Sequence, residues 1–323
     1  MKALFLRRYG DPDFLEIREI ERPTPSADRV LVKVRAVSIN DWDWGLIQAT
    51  PMIPNRFMAG LLRPRIVVGS DIAGVVEAVG DTVTEFRPGD AVYGDLSGCG
   101  FGGFAEYVSP PQGALRPMGS GMSFAQAAAI PQAGMLALQA VIANGQLRPG
   151  QSVLVNGGGG GVGSIAIQLL KMQDVTVTGV DSAAKLDAMR AWGFDHVIDY
   201  HAEDFTRRGE RYDLIIDVRT DRAPADYERA LKPDGCYATV GGQLVNLLRI
   251  ALSRFRPGRD CHRQLRVIAL QPNRDLDRFN GWYEAGSFQP VIDSEFDFNE
   301  QDVRRAFRHF GASAHKGKIV VAM

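Results

Sequence analysis

Two hydrophobic rhythms divide the chain. From residue 1 to about 121, apolar and polar positions alternate over short stretches such as "ALFL", "RVLVKVRAVSI", "IAGVVEAVG" and "FAEYV". A period of two with β-branched content predicts strands that bury one face. "RPTPS", "RPGD" and "SGCGFGG" read as the turns between them. Beyond residue 121 the rhythm changes. "SFAQAAAIPQAGMLALQAVIANG" is rich in Ala and Leu and predicts one or two helices, with Pro131 at a break or a helix start. Short uninterrupted apolar runs follow: "SVLVN", "VTVTGV", "HVIDY", "YDLIIDV", "CYATVG" and "LRVIAL". Helical stretches such as "SAAKLDAMRAWG", "APADYERAL" and "DLDRFNGWYEAG" lie among them. Strands apolar on both faces that alternate with helices predict a parallel sheet covered on both sides. The stretch from "PVIDSEF" to "GKIVVAM" returns to strand, helix, strand. The fold class is α/β, with a β-rich part and a doubly wound parallel sheet.

The first strand-to-helix turn of the second part reads "NGGGGGVG", residues 156 to 163. Each glycine costs roughly 0.5–1 kcal/mol relative to alanine in regular structure, so the run needs a reason. Gly158, Gly160 and Gly163 match the spacing G-x-G-x-x-G, with Gly161 and Val162 between them. In that pattern the first glycine allows a tight turn, the second lets a pyrophosphate approach the backbone, and the third lets helix pack on strand. Val162, Ile165, Ala166, Leu169 and Leu170 give the next helix one buried stripe, and its N-terminus points amides at an anion. Asp181 ends the next strand, about 20 residues on, where an acid meets a ribose in dinucleotide sites. A flexible linker would have none of this context.

Composition narrows the partners. The chain has 323 residues, 45% hydrophobic and 23% charged, which fits two soluble domains. The net charge of −1 offers no reason to expect nucleic acid or a membrane as partner. "MKALFLRRYG" lacks the apolar stretch of a secretory leader, and no run approaches the roughly 20 apolar residues that span a bilayer. Cys99, Cys236 and Cys261 have no paired spacing, which suits a reducing cytoplasm.

Taken together, "SINDWDWGL", "VVGSDIAGVVEAVG", "FRPGDAVYGDLSG", "GGFAEYV", "AAAIPQAGMLALQAV", "LRPGQSVLVNGGGGGVG", "GFDHVIDY" and "GKIVV" resemble the medium-chain dehydrogenase/reductase superfamily, on its zinc-free quinone oxidoreductase side. The resemblance covers nearly the whole chain. It implies a GroES-like catalytic domain over 1–121, completed by 287–323, and a Rossmann dinucleotide-binding domain over 122–286, with the ligand cleft between them. In relatives the turn often reads "GASGGVG". Gly158 and Gly159 stand here for Ala and Ser, an excess that the pattern does not explain. Zinc-dependent relatives carry Gly-His-Glu where this chain reads Gly69-Ser70-Asp71, and a cysteine near Asn40. No histidine precedes His196, so the three or four N or S ligands that zinc needs are missing there. Without a Lewis acid, a conjugated carbonyl or quinone is an easier hydride acceptor than a simple ketone, because the negative charge spreads over an enolate. The activity implied is hydride transfer from NAD(P)H to a quinone or α,β-unsaturated carbonyl.

The same resemblance proposes site residues. Asn40 is the candidate polar contact at the reacting end, with Asp43 to orient it. Trp42 and Trp44 suit a planar acceptor, although core packing explains them as well. Gly241 and Gly242 are placed to let the nicotinamide half pass the backbone. Relatives often carry Thr where Leu136 stands, which removes a polar contact and keeps open a different reading, a dinucleotide-binding redox-sensing scaffold. For the cofactor two expectations compete. Asp181 favours NADH by repelling a 2′-phosphate, whereas Ser182, Lys185 and Tyr200 match positions that surround that phosphate in NADPH users. Their combination favours NADPH, with NADH left open. The basic stretch 247–266 reads as a solvated face or a flap. The apolar strand 265–270 would leave an open sheet edge in a monomer, and a homodimer is expected.

Overall fold

The computed structural model describes residues 1–50, 52–62, 64–143, 145, 147–255 and 262–323. Cys261 and the middle of the basic stretch, 256–261, lie outside the described residues. Seven strands come first: β1 (Lys2–Leu6), β2 (Leu15–Glu19), β3 (Val30–Ser38), β4 (Asp71–Val79), β5 (Ala91–Asp95), β6 (Tyr107–Val108) and β7 (Arg116–Pro117). Then come β8 (Ser152–Asn156), β9 (Thr176–Asp181), β10 (His196–Asp199), β11 (Tyr212–Asp217), β12 (Leu231–Thr239) and β13 (Gln264–Val267), and after them β14 (Ile292–Asp297) and β15 (Lys318–Ala322). The helices are α1 (Asp41–Gln48), α2 (Met52–Ala59), α3 (Phe124–Ala128), α4 (Pro131–Val141), α5 (Gly161–Lys171), α6 (Leu186–Ala191), α7 (Pro224–Ala230), α8 (Leu244–Leu252), α9 (Asp277–Glu284) and α10 (Glu300–Gly311). Among the described residues no helix is long and apolar enough to cross a membrane.

The chain forms two units, Met1–Met135 with Gln271–Met323, and Leu136–Leu270. Relative to the expected boundaries, residues 122–135 and 271–286 fall in the β-rich unit. Hydrogen bonds account for the shift. The Tyr93 hydroxyl donates to Leu276 O and to Asn280 Oδ1 (3.1 and 2.8 Å). Asn273 accepts from the Asp95 N–H and donates to its carbonyl (2.7 and 2.8 Å).

In the β-rich unit the main sheet runs β14-β15-β3-β4-β5-β7, with β6 also on β3, and β1 pairs with β2 as a hairpin. β15 therefore pairs antiparallel with β3 although most of the chain separates them. β3 alternates as predicted near its centre, with Val32 and Val34 buried and Lys33 and Arg35 turned outward. α10 starts at Asn299, whose side chain accepts the Asp302 N–H (3.0 Å). It buries Val303, Ala306 and Phe307 at helical spacing, and Phe307 meets Phe104 at 5.5 Å between rings. Val32, Ile72 and Val321 complete that core.

In the other unit six parallel strands run in the order β10-β9-β8-β11-β12-β13. The first three strands in sequence go one way across the sheet and the next three go the other. Such an order leaves a switch point between β8 and β11, where α/β sheets bind ligands beyond the strand ends. The apolar runs form the buried strands: Val153, Leu154 and Val155 of β8, and Leu214, Ile215 and Ile216 of β11, are fully inaccessible. α5 is buried nearly all round. The last strand ends at Val267 and not at 270; it is the sheet's edge.

Candidate functional site

The glycine turn lies at the switch point, between β8 and α5. Its tight bend belongs to Gly157, with φ +89°, and the N–H groups of Gly157 and Gly158 both donate to Val180 O (2.9 and 3.1 Å). Gly160 is the N-cap of α5. A Cβ on Gly160 would meet only Gly157 O, at 3.7 Å, so its side is open. A Cβ on Gly163 would collide with the Gly158 backbone, so the third glycine lets the first turn of α5 close against the glycine turn itself. The first-turn amides of α5 have no helical acceptor, as in any helix, and an anion at that open side would receive them.

Beside the turn, Asp181 is drawn inward. Its Oδ2 accepts the Gly159 N–H and its Oδ1 the Ser182 N–H, both at 2.9 Å. The Lys185 ammonium lies 3.6 Å from Oδ1, and the Lys185 side chain is only 7% exposed. Tyr200 is half exposed, its ring 4.1 Å from that of His201 and tilted to it by 33°. The structure thus brings Asp181, Ser182 and Lys185 together, with Tyr200 tied to them by its N–H to Asp181 O (3.2 Å).

The β-rich unit holds a buried polar knot. Register across β3, β4 and β5 sets Ser38 opposite Asp71 and Asp71 opposite Asp95. Two carboxylates directly opposite repel, so a cation is required, and Lys318 at the start of β15 supplies it. Its Nζ donates to Asn40 Oδ1 and to Ile39 O (3.1 Å) and lies 3.8 Å from Asp71 Oδ2. Asn40 Nδ2 donates to Ser70 Oγ (3.0 Å), and that hydroxyl reaches Asp43 Oδ2 (3.3 Å). Asp43 also accepts the N–H groups of Asn40 and Gly69 (3.0 and 2.8 Å). Asp71 accepts the Gln132 N–H at the start of α4 (3.1 and 3.2 Å), where the helix dipole favours an anion.

Burial governs the titration of this knot. It pushes the Asp43 carboxyl up from 3.8 to about 6, against the hydrogen bonds from Asn40 and Gly69 and the Lys318 charge. Burial also raises Asp71 and Asp95, and Asp95 adds repulsion at Asp71. Burial lowers Lys318, opposed first by Asp71 and then by Asp43.

Several expected residues are placed differently. Asn40 is 5% exposed and spends its amide inside the knot, so it holds the start of α1 and does not reach outward. Trp42 is 41% exposed, near Phe101. Trp44 instead packs on Phe310 of α10 (6.3 Å) and over Gly311, a core contact. Gly241 and Gly242 are explained by the protein's own backbone: added Cβ atoms would lie 2.6 Å from Val218 O and 2.7 Å from Arg219 O. Thr220 Oγ1 donates to Gly241 O (2.6 Å), which fixes that crossing. Leu136 is half-buried within α4. Burial lifts the Cys99 thiol to about 11, which keeps it protonated and a poor nucleophile. Sequence reasoning missed Gly157, Lys318, Asp71, Asp95 and Gln132. Lys318 follows the turn "HKGK" into β15, with Gly317 at φ +96°, and nothing in that stretch of sequence marks it as buried.

The knot also bears on the question of zinc. At the positions of the family's ligands stand Asn40, Ser70 and Asp71, and an ammonium already occupies the space between the Asn40 and Asp71 oxygens. Among the described residues no three His, Cys, Asp or Glu groups gather to hold a metal. An amide, a hydroxyl and a carboxylate beside a cation do not fit zinc.

Residues 26–136 match the family model described as the alcohol dehydrogenase GroES-like domain, and residues 192–321 the one described as zinc-binding dehydrogenase. The chain is 30% identical over 338 residues to a 2-methylene-furan-3-one reductase of Solanum lycopersicum, covering 99% of this chain and 79% of the relative. It is 31% identical over 330 residues to a chloroplastic NADPH-dependent alkenal/one oxidoreductase of Arabidopsis thaliana, with the same coverage. Among solved structures, the quinone oxidoreductase from Coxiella burnetii aligns with a TM-score of 0.88 and 26% identity, covering 100% of this chain and 99% of that one.

Proposed function

The chain belongs to the medium-chain dehydrogenase/reductase superfamily, on its quinone oxidoreductase-like branch, and from that premise we propose that it is a zinc-independent reductase that uses NADPH to reduce quinones or α,β-unsaturated carbonyl compounds. One observation carries the reading: in the β8–α5 turn the side of Gly160 is open, whereas the sides of Gly158, Gly159 and Gly163 are filled by the protein itself. That open side lies at the N-terminus of α5, where the free amides of the first turn favour an anion.

The residues present fit a nicotinamide dinucleotide. The amides of Gly161, Val162 and Gly163 at the start of α5 would hold the pyrophosphate. Asp181, Ser182, Lys185 and Tyr200 would receive the adenosine end. When bound, the reduced nicotinamide supplies hydride to the conjugated acceptor. The chain's own part is to bind, orient and exclude water. Asn40, clamped by Lys318 and Ser70, fixes the start of α1 and with it Trp42, whose exposed ring offers a flat apolar surface to a planar acceptor. A conjugated acceptor delocalises the charge it gains, so Lys318 in place of a metal is no obstacle. NADPH is favoured over NADH because the Asp181 carboxylate is already engaged by two amides and an ammonium. We further assign a homodimer, formed through the free edge of β13 and the neighbouring apolar face of α8, where Leu244, Val245, Leu248 and Leu252 are exposed.

The test is oxidation of NADPH and of NADH by the purified protein with a panel of quinones, enones and simple aldehydes. Turnover is expected with the conjugated acceptors and NADPH. Turnover confined to simple aldehydes would sink the reading. Light scattering at micromolar concentration checks the dimer, and a monomer would refute it.

A further inference from the structure

The two glycines that stand where relatives carry Ala and Ser have a structural reason. A Cβ on Gly158 would lie 2.7 Å from Met189 Cε and 3.1 Å from Phe194 Cζ, so that glycine makes room for the helix after β9. Gly159 is different, because what lies over it is charged. A Cβ there would sit 2.6 Å from Lys185 Cδ, 2.8 Å from Lys185 Cβ and 3.1 Å from Asp181 Oδ2. Lys185 therefore lies across the bare backbone of Gly159, while the Gly159 N–H holds the Asp181 carboxylate (2.9 Å). One residue touches both members of the ion pair.

We propose that Gly159 determines cofactor specificity: by lacking a side chain it seats Lys185 against Asp181, which turns an acidic corner into a neutral one and admits the 2′-phosphate of NADPH. The inference rests on the reading that this turn binds a nicotinamide dinucleotide. A lone carboxylate at this position repels a 2′-phosphate and accepts ribose hydroxyls. Here the ammonium offsets its charge, and two backbone amides occupy its oxygens. The lysine cannot keep its seat once residue 159 carries a Cβ. Its Cδ can bend away, but Lys185 Cβ is fixed to the one-turn 3-10 helix Ala183–Lys185 and must shift with the backbone. The Asp181 carboxylate would then face the 2′-phosphate without an ammonium beside it.

The experiment measures binding without turnover, by calorimetry, with adenosine 2′,5′-bisphosphate, 5′-AMP, NADPH and NADH. Gly159→Ala is expected to weaken the 2′,5′-bisphosphate about tenfold, leave 5′-AMP unchanged, and shift the NADPH to NADH ratio of Kd towards NADH. In a Lys185→Ala background the same substitution should have no further effect on the 2′,5′-bisphosphate. Unchanged affinity in Gly159→Ala, or an equal loss in both backgrounds, would overturn the proposal, the second outcome meaning that only the turn was damaged. Should Gly159→Ala fail to fold, Lys185→Ala is compared with and without Asp181→Asn. The cost of losing the lysine must shrink when the carboxylate is gone, and a constant cost refutes the charge compensation. A wild type that prefers NADH refutes the inference alone, whereas one that binds neither dinucleotide brings down the functional reading as well.

Discussion

The glycine turn of the Rossmann unit and the polar knot of the β-rich unit are built on opposite plans. The turn is contiguous, residues 157 to 163, and acts through backbone amides and missing side chains. The knot collects Asn40 and Asp43, Asp71, Asp95 and Lys318 from four places in the chain and acts through side chains that are almost inaccessible. The turn's cost is conformational entropy, about 1 kcal/mol for each glycine. The knot's cost is desolvation, several kcal/mol for each buried ion before pairing returns it. A change in the turn should therefore be felt by a ligand first, and a change in the knot by the fold first.

Four measurements bear on that contrast. Lys318→Met should have the largest effect, because it leaves three buried carboxylates without their cation. A loss of about 3–5 kcal/mol in chemical denaturation is expected, and a loss below about 1 kcal/mol would mean that protons on the carboxylates do the neutralising. Gly160→Val should invert the pattern. Affinity for NADPH should fall about a hundredfold or more, because a branched side chain fills the open side of Gly160, while the unfolding midpoint stays near wild type. Normal affinity in that variant would remove the turn from the site.

Smaller effects sharpen the comparison. The folded-state value of Asp43, about 6, lies above its ordinary 3.8. Between those pH values the folded protein keeps a proton that the unfolded chain has released, so Asp43 costs stability as pH rises through the window and nothing below it. The cost is on the order of 3 kcal/mol at most. Stability measured at pH 4 and at pH 7 in wild type and in Asp43→Asn should differ in slope in that direction. An equal slope would show that Asp43 titrates normally. The smallest effect is expected from chelation. With Lys318 in the metal's place, the purified protein should contain no stoichiometric zinc, and a chelator should leave turnover unchanged. One zinc per chain would reverse that reading.

The same contrast decides what could be read in the sequence. The parallel sheet was legible because fully buried strands such as Val153–Val155 form continuous apolar runs, and the glycine turn because its parts are adjacent. Lys185 and Asp181 were legible as candidates, but their pairing over Gly159 depends on a local packing that no spacing rule contains. The knot was largely invisible. Lys318 looks like a solvated strand end, and its partner Asn40 is 278 positions away. Asp71 and Asp95 look like strand termini until register sets them side by side. The aromatic residues part for a local reason: Trp42 and Trp44 differ by two positions on a helix, which turns Trp42 outward, where it stays a candidate, and Trp44 onto α10. Gly241 and Gly242 suggested a ligand, but close approach by the protein's own loop is as good a reason for a glycine.

The pairing of β15 with β3 has a consequence for how the molecule is made. Synthesis runs from the N-terminus, and domains tend to fold as they emerge. The β-rich unit cannot follow that schedule. Its three inward carboxylates are translated early, but the ammonium that tolerates them arrives only after the whole Rossmann unit, Leu136–Leu270, has left the ribosome. A nascent β3–β4–β5 sheet must either keep Asp43, Asp71 and Asp95 protonated or leave its interior wet. The Rossmann unit has no such debt, since its strands and its turn come from one uninterrupted stretch. The order of maturation should therefore run against the order of translation, the second unit completing first and the first waiting for Lys318.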